Sequence, residues 1–532
     1  MIVLVDYASP SLLESSRDAT IVGLSTNLRR RVRFHGLVRQ HGFILRIALR
    51  ALGEAIWSND TWIGQSDLLD PVVTVHKDRI FFEAFSQDQS TYVALVVDRN
   101  VFEPIGEVVV GTTNIDFTAW LWGALGEMRT SRTTTLRIGP EGLEVRTSSA
   151  GGRFEKKVDL PETWVRGFLQ VQAAMGMPGT RIAAKPIDLL SAVRFLRYSK
   201  AKVSPRAIRY EFEPGQDARL IIEPWERVVP LEGAEHNYSE RKTTRVWGRR
   251  RLRLIEGLLP FAEAVDIYLK GRALPSFYAV KLPGMTFLLG LTGWSGSSFT
   301  GTGGFDLIAE AAASDDGLVE SALALLRERQ HASIDEVAHA LNIDLVAASR
   351  VLVRLCRQGR TMFDVETRRY RHRELFEHPA DETVYFPPDR RQELAAALIN
   401  DNKVRVTSCA AEETKKVRSF RDPTTGEAKQ KVAREITYRD WRIIGAVGEH
   451  DPVEIVVNDT GRIIFGRCTC PQFAEHLMNQ GPCEHMIALF KASEQSRADR
   501  PSSSLVVGPS PVTTRKQPSR WEVDGADQGT SQ

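Results

Sequence analysis

Cysteine is scarce in this chain, with five in 532 residues. That rules out a disulfide-stapled secreted scaffold and points to a reducing compartment. Net charge is almost absent as well, at +3. No global field therefore draws the protein to nucleic acid or a membrane surface, and a local patch must supply any such attraction. Long apolar runs are missing. The nearest, 279–294, is interrupted by Lys281 and Pro283, so no membrane-spanning helix is expected. The first six residues have a short apolar run and no basic leader, which does not read as a signal peptide. A cytoplasmic protein is expected.

Signatures of catalysis are lacking too. There is no Gly-Lys pair and so no P-loop. Gly301-Thr-Gly303-Gly304 breaks off with Asp306 where a dinucleotide fingerprint needs its last glycine. No His-Glu-x-x-His occurs, and Gly293-Trp-Ser295-Gly296-Ser297 lacks the closing glycine of a nucleophile elbow. The expectation is a non-enzymatic protein with no small-molecule substrate.

What is present is concentrated near the C-terminal end. Three of the five cysteines lie in Cys468-Thr-Cys470-Pro471 and Gly481-Pro482-Cys483-Glu484-His485, with twelve residues between the two pairs. Three thiolates and one imidazole make the closed four-ligand set of a structural Zn²⁺. Residues 462–465 read as a strand entering the first pair, and in extended chain i and i+2 share a side, so Cys468 and Cys470 can face one metal. In a helix i and i+2 diverge. Cys483 must then sit at or just before a helix start, with His485 in the first turn and residues 486–490 continuing the helix. A helix N-terminus also favours a thiolate. His476 is the alternative fourth ligand. The remaining cysteines, Cys356 and Cys409, sit in apolar-patterned segments as plain thiols.

The Cys-x-Cys…Cys-x-His order, the proline after the second cysteine and the apolar helix after His485 resemble the SWIM zinc finger, over 455–492. The resemblance implies zinc binding and an interaction role, with DNA or protein as partner. It implies no catalytic activity.

A second pattern lies at 316–377. Residues 318–329 form an amphipathic helix. Ser333 caps the next, 334–341, with Glu336 at the capping-box position. Residues 345–358 form a third, stopped by Gly359, and 360–365 with 369–373 form a hairpin. Three helices and a hairpin resemble a winged helix. In DNA-binding versions the third helix enters the major groove and the wing touches backbone. Eight arginines between Arg350 and Arg373 stand against Asp364 and Glu366. Arg350, Arg354, Arg368, Arg369 and Arg371 are the candidate phosphate contacts. The third helix, however, opens with Leu345, Val346 and Ala347, which cannot read base edges as Arg, Asn and Gln do.

Residues 1–292 read as a mixed α+β region. Residues 1–27 carry little pattern. A strand is expected at 29–34, a helix at 43–57, and strands at 72–75, 80–82, 92–97 and 107–110. Helices at 117–128, 187–196 and 249–259, each followed by strands, suggest a helix–hairpin repeat. In the last of these helices Arg249, Arg250 and Arg253 are expected to face outward. Residues 293–315 read as a Gly/Ser/Thr-rich linker, 384–495 as a small β-sheet region carrying the finger, and 496–532 as a disordered tail. The fold class expected is multidomain α+β: a mixed N-terminal region, a winged-helix-like module, and a small sheet with a SWIM-type finger. The function expected is zinc-dependent association with nucleic acid. The alternative is a protein–protein adaptor in a bacterial, ATPase-linked assembly. One continuous basic stripe across Arg350, Arg354, Arg368, Arg371 and the finger would favour DNA, and an apolar, mixed-charge face would favour protein.

Overall fold

The computed structural model describes residues 3–7, 10–57, 70–140, 156–160, 162–176, 179–201, 206–270, 275–292, 299, 316–376, 378–381, 390–416, 419–421, 428–430, 436–457, 463–476 and 482–498. The expected linker at 293–315, apart from Phe299, and the expected tail beyond 498 lie outside them, as does the expected strand at 143–146. The described residues mix helices with several sheets. No described helix is long and apolar enough to cross a membrane.

The largest sheet has eight antiparallel strands in the order Thr180–Ala184, Ala264–Leu269, Ser276–Leu282, Met285–Leu291, Thr91–Asp98, Arg79–Phe85, Val72–Val75 and Gly111–Asn114. Its middle seam pairs Met285 with Val97 and Leu291 with Thr91, so chain segments almost two hundred residues apart share one sheet. Both faces are covered. Ile80, Phe82, Val93, Leu95, Val280, Phe287 and Leu289 are all fully buried, which is why these strands read as continuous apolar runs. The helix Gly42–Trp57 lies against this sheet. Leu45, Ala48, Leu49, Leu52, Ala55 and Ile56 recur at helical spacing and form its buried stripe.

Three features of this region differ from expectation. Residues 12–25 form two paired strands, Leu12–Ser15 and Ala19–Ser25, with the latter parallel to Thr133–Gly139. Their alternation is short and polar at its ends, so periodicity hid them. The strand expected at 29–34 begins instead at Phe34, and the one expected at 107–110 lies at Gly111–Asn114. The segment Arg249–Ile255 is a 3₁₀ helix, not an α-helix. Tighter winding turns Arg249 and Arg251 inward. Arg249 lies over the Trp225 ring at 4.9 Å and donates to the carbonyl of Glu223. Of the three arginines expected outside, Arg250 alone is fully exposed.

The segment 316–376 has three helices, Asp316–Arg329, Ile334–Leu341 and Leu345–Arg357, and a three-stranded sheet in the order His331–Ala332, Arg369–His372, Thr361–Asp364. Local chemistry sets the boundaries. Ser333 and Glu336 form a reciprocal capping box, Asn342 ends that helix at φ 53°, and Asp344 caps the third through Ala347 N at 2.8 Å. The segment does not stand apart. Its apolar residues Val319, Leu323, Val351, Leu355, Phe363 and Tyr370 belong to the same continuous core as the N-terminal sheets.

The C-terminal part has its own core. Four antiparallel strands run in the order Val404–Lys416, Ile436–Val447, His450–Val457, Ile463–Arg467. The helices Arg390–Asn400 and Glu484–Ala498 pack on each other and bury Ala395, Met486, Ala488 and Leu489 with Ile443, Val453 and Ile455 of the sheet. Gly445 permits the close approach of helix to sheet. A Cβ there would lie 2.5 Å from Arg405 O and 2.5 Å from Leu489 Cδ1.

Candidate metal centre

The strand Ile463–Arg467 pairs with His450–Val457, setting Gly466 opposite Ile455 and Arg467 opposite Glu454. It ends one residue before Cys468. Cys470 immediately precedes the short helix Pro471–His476, whose start is tied to it by Ala474 N to Cys470 O at 3.0 Å and Phe473 N to Cys470 Sγ at 3.4 Å. Cys483 immediately precedes the helix Glu484–Ala498, and its carbonyl accepts from Ile487 N at 3.0 Å. His485 stands in the first turn. Strand end, helix start and helix start thus converge.

One ligand atom from each of Cys468, Cys470, Cys483 and His485 lies within 4.8 Å of every other. A tetrahedral ion with bonds of roughly 2.3 Å needs ligand separations of about 3.8 Å, so a small contraction closes the site. The three cysteines are buried, and no disulfide joins them. His485 Nδ1 is buried without a hydrogen-bond partner, and the nearest carboxylate oxygen, on Glu484, is 3.7 Å away. The His450 ring, held by a 2.9 Å contact between its Nδ1 and Thr469 Oγ1, covers His485 with centroids 4.2 Å apart.

The electrostatics call for a cation. A hydrogen bond from Cys483 lowers the Cys468 pKa, against the opposing effect of burial. Burial raises Cys470, and the hydrogen bond to Cys468 followed by burial pushes Cys483 up to about 12. Without a cation only one thiol of the three ionises readily, because thiolates this close repel one another. A divalent ion reverses that balance and releases the protons. The orphaned imidazole nitrogen and the sulfur-rich donor set fit such an ion.

Residues 453–494 match the SWIM zinc finger model. The SWIM segment thus begins in the strand His450–Val457 and ends in the last helix, so the finger is built into the sheet and shares its core. No curated protein matches the sequence. Among solved structures, the chain is similar to proliferating cellular nuclear antigen from Entamoeba histolytica, at 12% identity and TM-score 0.33 over 49% of this chain and 98% of that one. It is also similar to PCNA from Thermococcus kodakaraensis, at 14% identity and TM-score 0.32 over 48% and 99%.

The five arginines marked as phosphate contacts fare differently. Arg350 and Arg368 are exposed. Arg354 pairs with Asp316 at 2.7 Å. Arg369 donates to His331 Nδ1 at 2.9 Å and to the Glu336 carboxylate. Arg371 is a correction. Only 1% exposed, it donates through Nε to Asp364 and through Nη1 to Asp78, both at 2.8 Å. A guanidinium enclosed in that way cannot reach a phosphate backbone. The hairpin as a whole turns inward. Arg79 bridges Asp98, Asp364 and Glu366, the Tyr268 hydroxyl donates to Val365 O, and Phe363 N donates to Gln172 Oε1 at 2.9 Å. Alternation put Arg369, Arg371 and Arg373 on one face of the strand. Nothing in the sequence marked Asp78 and Glu83, almost three hundred residues earlier, as the partners awaiting Arg371 and Arg373.

Proposed function

We propose that the chain is a non-enzymatic adaptor. Its SWIM finger holds one Zn²⁺ as a folding element, and the start of the helix Leu345–Arg357 docks a protein partner. The zinc assignment rests on the sulfur-rich tetrahedral donor set, which suits Zn²⁺ better than the oxygen-seeking divalent ions.

The docking assignment rests on one observation. Leu345 and Val346 are 54% and 60% exposed, side by side at the helix start, in a shallow hollow rimmed by His339, Asn342, Ile343 and Arg350. A DNA-reading helix would carry Arg, Asn or Gln there. Adjacent exposed aliphatics are lost area in solution and gained area in a complex. The fitting partner presents an amphipathic segment, apolar toward Leu345 and Val346 and acidic toward Arg350. The exposed Arg350 and Arg368 support a second reading, weak phosphate-backbone contact with nucleic acid.

Metal analysis and binding measurements on the full chain separate these readings. The adaptor reading expects one zinc per chain and a partner crosslinked to wild type but lost in Leu345→Ser/Val346→Ser, with unchanged melting. Retention on duplex DNA at low salt that survives this variant, and falls with Arg350→Ala/Arg368→Ala, would replace it with the nucleic-acid reading.

A further inference from the structure

The seam between the N-terminal sheets and the segment 316–376 encloses a cavity of about 320 Å³. Its lining includes Arg30, Arg31, His76, His372, Arg373 and Glu374. Three guanidinium groups thus face one carboxylate. That carboxylate is already engaged by Arg327 at 3.2 Å, with Arg360 at 4.0 Å. Arg30 crosses the seam by donating to Leu375 O at 3.4 Å.

Arg373 is the decisive group. It is 1% exposed, and its Nη1 is spent on Glu83, itself fully buried. Its Nε and Nη2 are buried and have no partner among the described residues. These two N–H groups form one edge of the guanidinium, the side-on fork that accepts two oxygens of a carboxylate or phosphate. Arginine offers donors and no acceptor, so only an acceptor can satisfy that edge. An orphaned charged donor is among the costlier defects a fold can carry. His76 Nε2 and His372 Nε2, which line the same cavity, are also buried and unpartnered, the latter 3.6 Å from Glu374. Burial, and then Arg371, push His76 down to about 3, so its ring is neutral near neutral pH and adds no competing charge.

We propose that this cavity binds the oxyanion of a small phosphorylated ligand, seated two-pronged on the Nε–Nη2 edge of Arg373 and steered in by Arg30 and Arg31. The volume exceeds one phosphate group and leaves room for a compact organic body. Such a ligand would sit across the seam and strengthen it, because a ligand bound only to the folded state stabilises that state.

Calorimetric titration of the full chain, at ionic strength held constant with chloride, tests this with inorganic phosphate and adenosine monophosphate. Saturable binding is expected. It should weaken about tenfold or more in Arg373→Lys, which keeps the charge facing Glu83 and loses the fork. The surface variant Arg31→Glu should weaken it comparably with unchanged melting, and it decides the matter if Arg373→Lys fails to fold. Tighter binding of the monophosphate identifies a phosphate ester as the ligand; equal binding identifies the free ion. No saturable binding of either probe, or binding that Arg31→Glu leaves intact, would overturn the site.

Discussion

Gly445→Ala is the sharpest probe of how the finger is seated. The added methyl would lie 2.5 Å from Arg405 O and 2.5 Å from Leu489 Cδ1, against an ordinary contact of roughly 3.5–4.0 Å. The carbonyl belongs to a strand hydrogen-bonded to the strand carrying Gly445, so it cannot swing away. Leu489 is fully buried, one helical turn beyond His485. Relief must come from lifting the helix Glu484–Ala498, which also moves a metal ligand. Overpacking of this kind costs about 1–3 kcal/mol. The variant should therefore melt earlier in its C-terminal part and yield zinc to a chromogenic chelator faster than wild type. Leu489→Ala removes one of the two clashes, so Gly445→Ala/Leu489→Ala should cost less than the sum of the single changes. Wild-type zinc release and melting in Gly445→Ala would refute the reasoning, because the helix would then not press on the sheet at this point.

Cys468→Ala and Cys483→Ala should each release the metal and loosen the C-terminal sheet, since a structural ion contributes directly to folding; undiminished zinc in either variant would remove that residue from the site. Asp364→Ala strips Arg371 and Arg79 of a shared buried partner, and should cost about 3–5 kcal/mol in chemical denaturation, whereas a near-neutral result would show that the hairpin is not held by this network.

The metal centre was legible because its information is local and rare. Three of five cysteines fall within sixteen residues, and the different geometries of strand and helix dictate how each pair must be held. The capping box at Ser333 and the stop at Gly359 were legible for the same reason: caps are read from neighbours a few residues apart. The fate of the arginines was not. Charge counted along 350–373 measures a sequence window, not a surface. Arg371 and Arg373 are neutralised by Asp78 and Glu83, which a window of any practical length leaves out. The 3₁₀ turn at Arg249 escaped for a related reason. Its apolar spacing suits an α-helix, but Trp225 and the Glu223 carbonyl supply contacts that draw the arginine inward.

The buried charges at the seam have a consequence for how the parts work together. Asp78, Glu83, Asp364, Arg79, Arg371 and Arg373 join the N-terminal sheet to the hairpin of the segment 316–376. Apolar residues of matching shape would hold such a seam at least as tightly, because desolvating ion pairs returns little net stability. What charged pairs add is discrimination: a shifted register leaves a charge buried without its partner. The hairpin is thereby fixed in one position, and the third helix, packed on the same core, presents Leu345 and Val346 at a defined place on the larger body. The finger lies outside this arrangement, with a separate apolar core and its own metal-binding cluster. Metal loss should then unravel the finger while leaving the exposed aliphatic pair where it is, and the docking surface and the metal centre become separable by experiment.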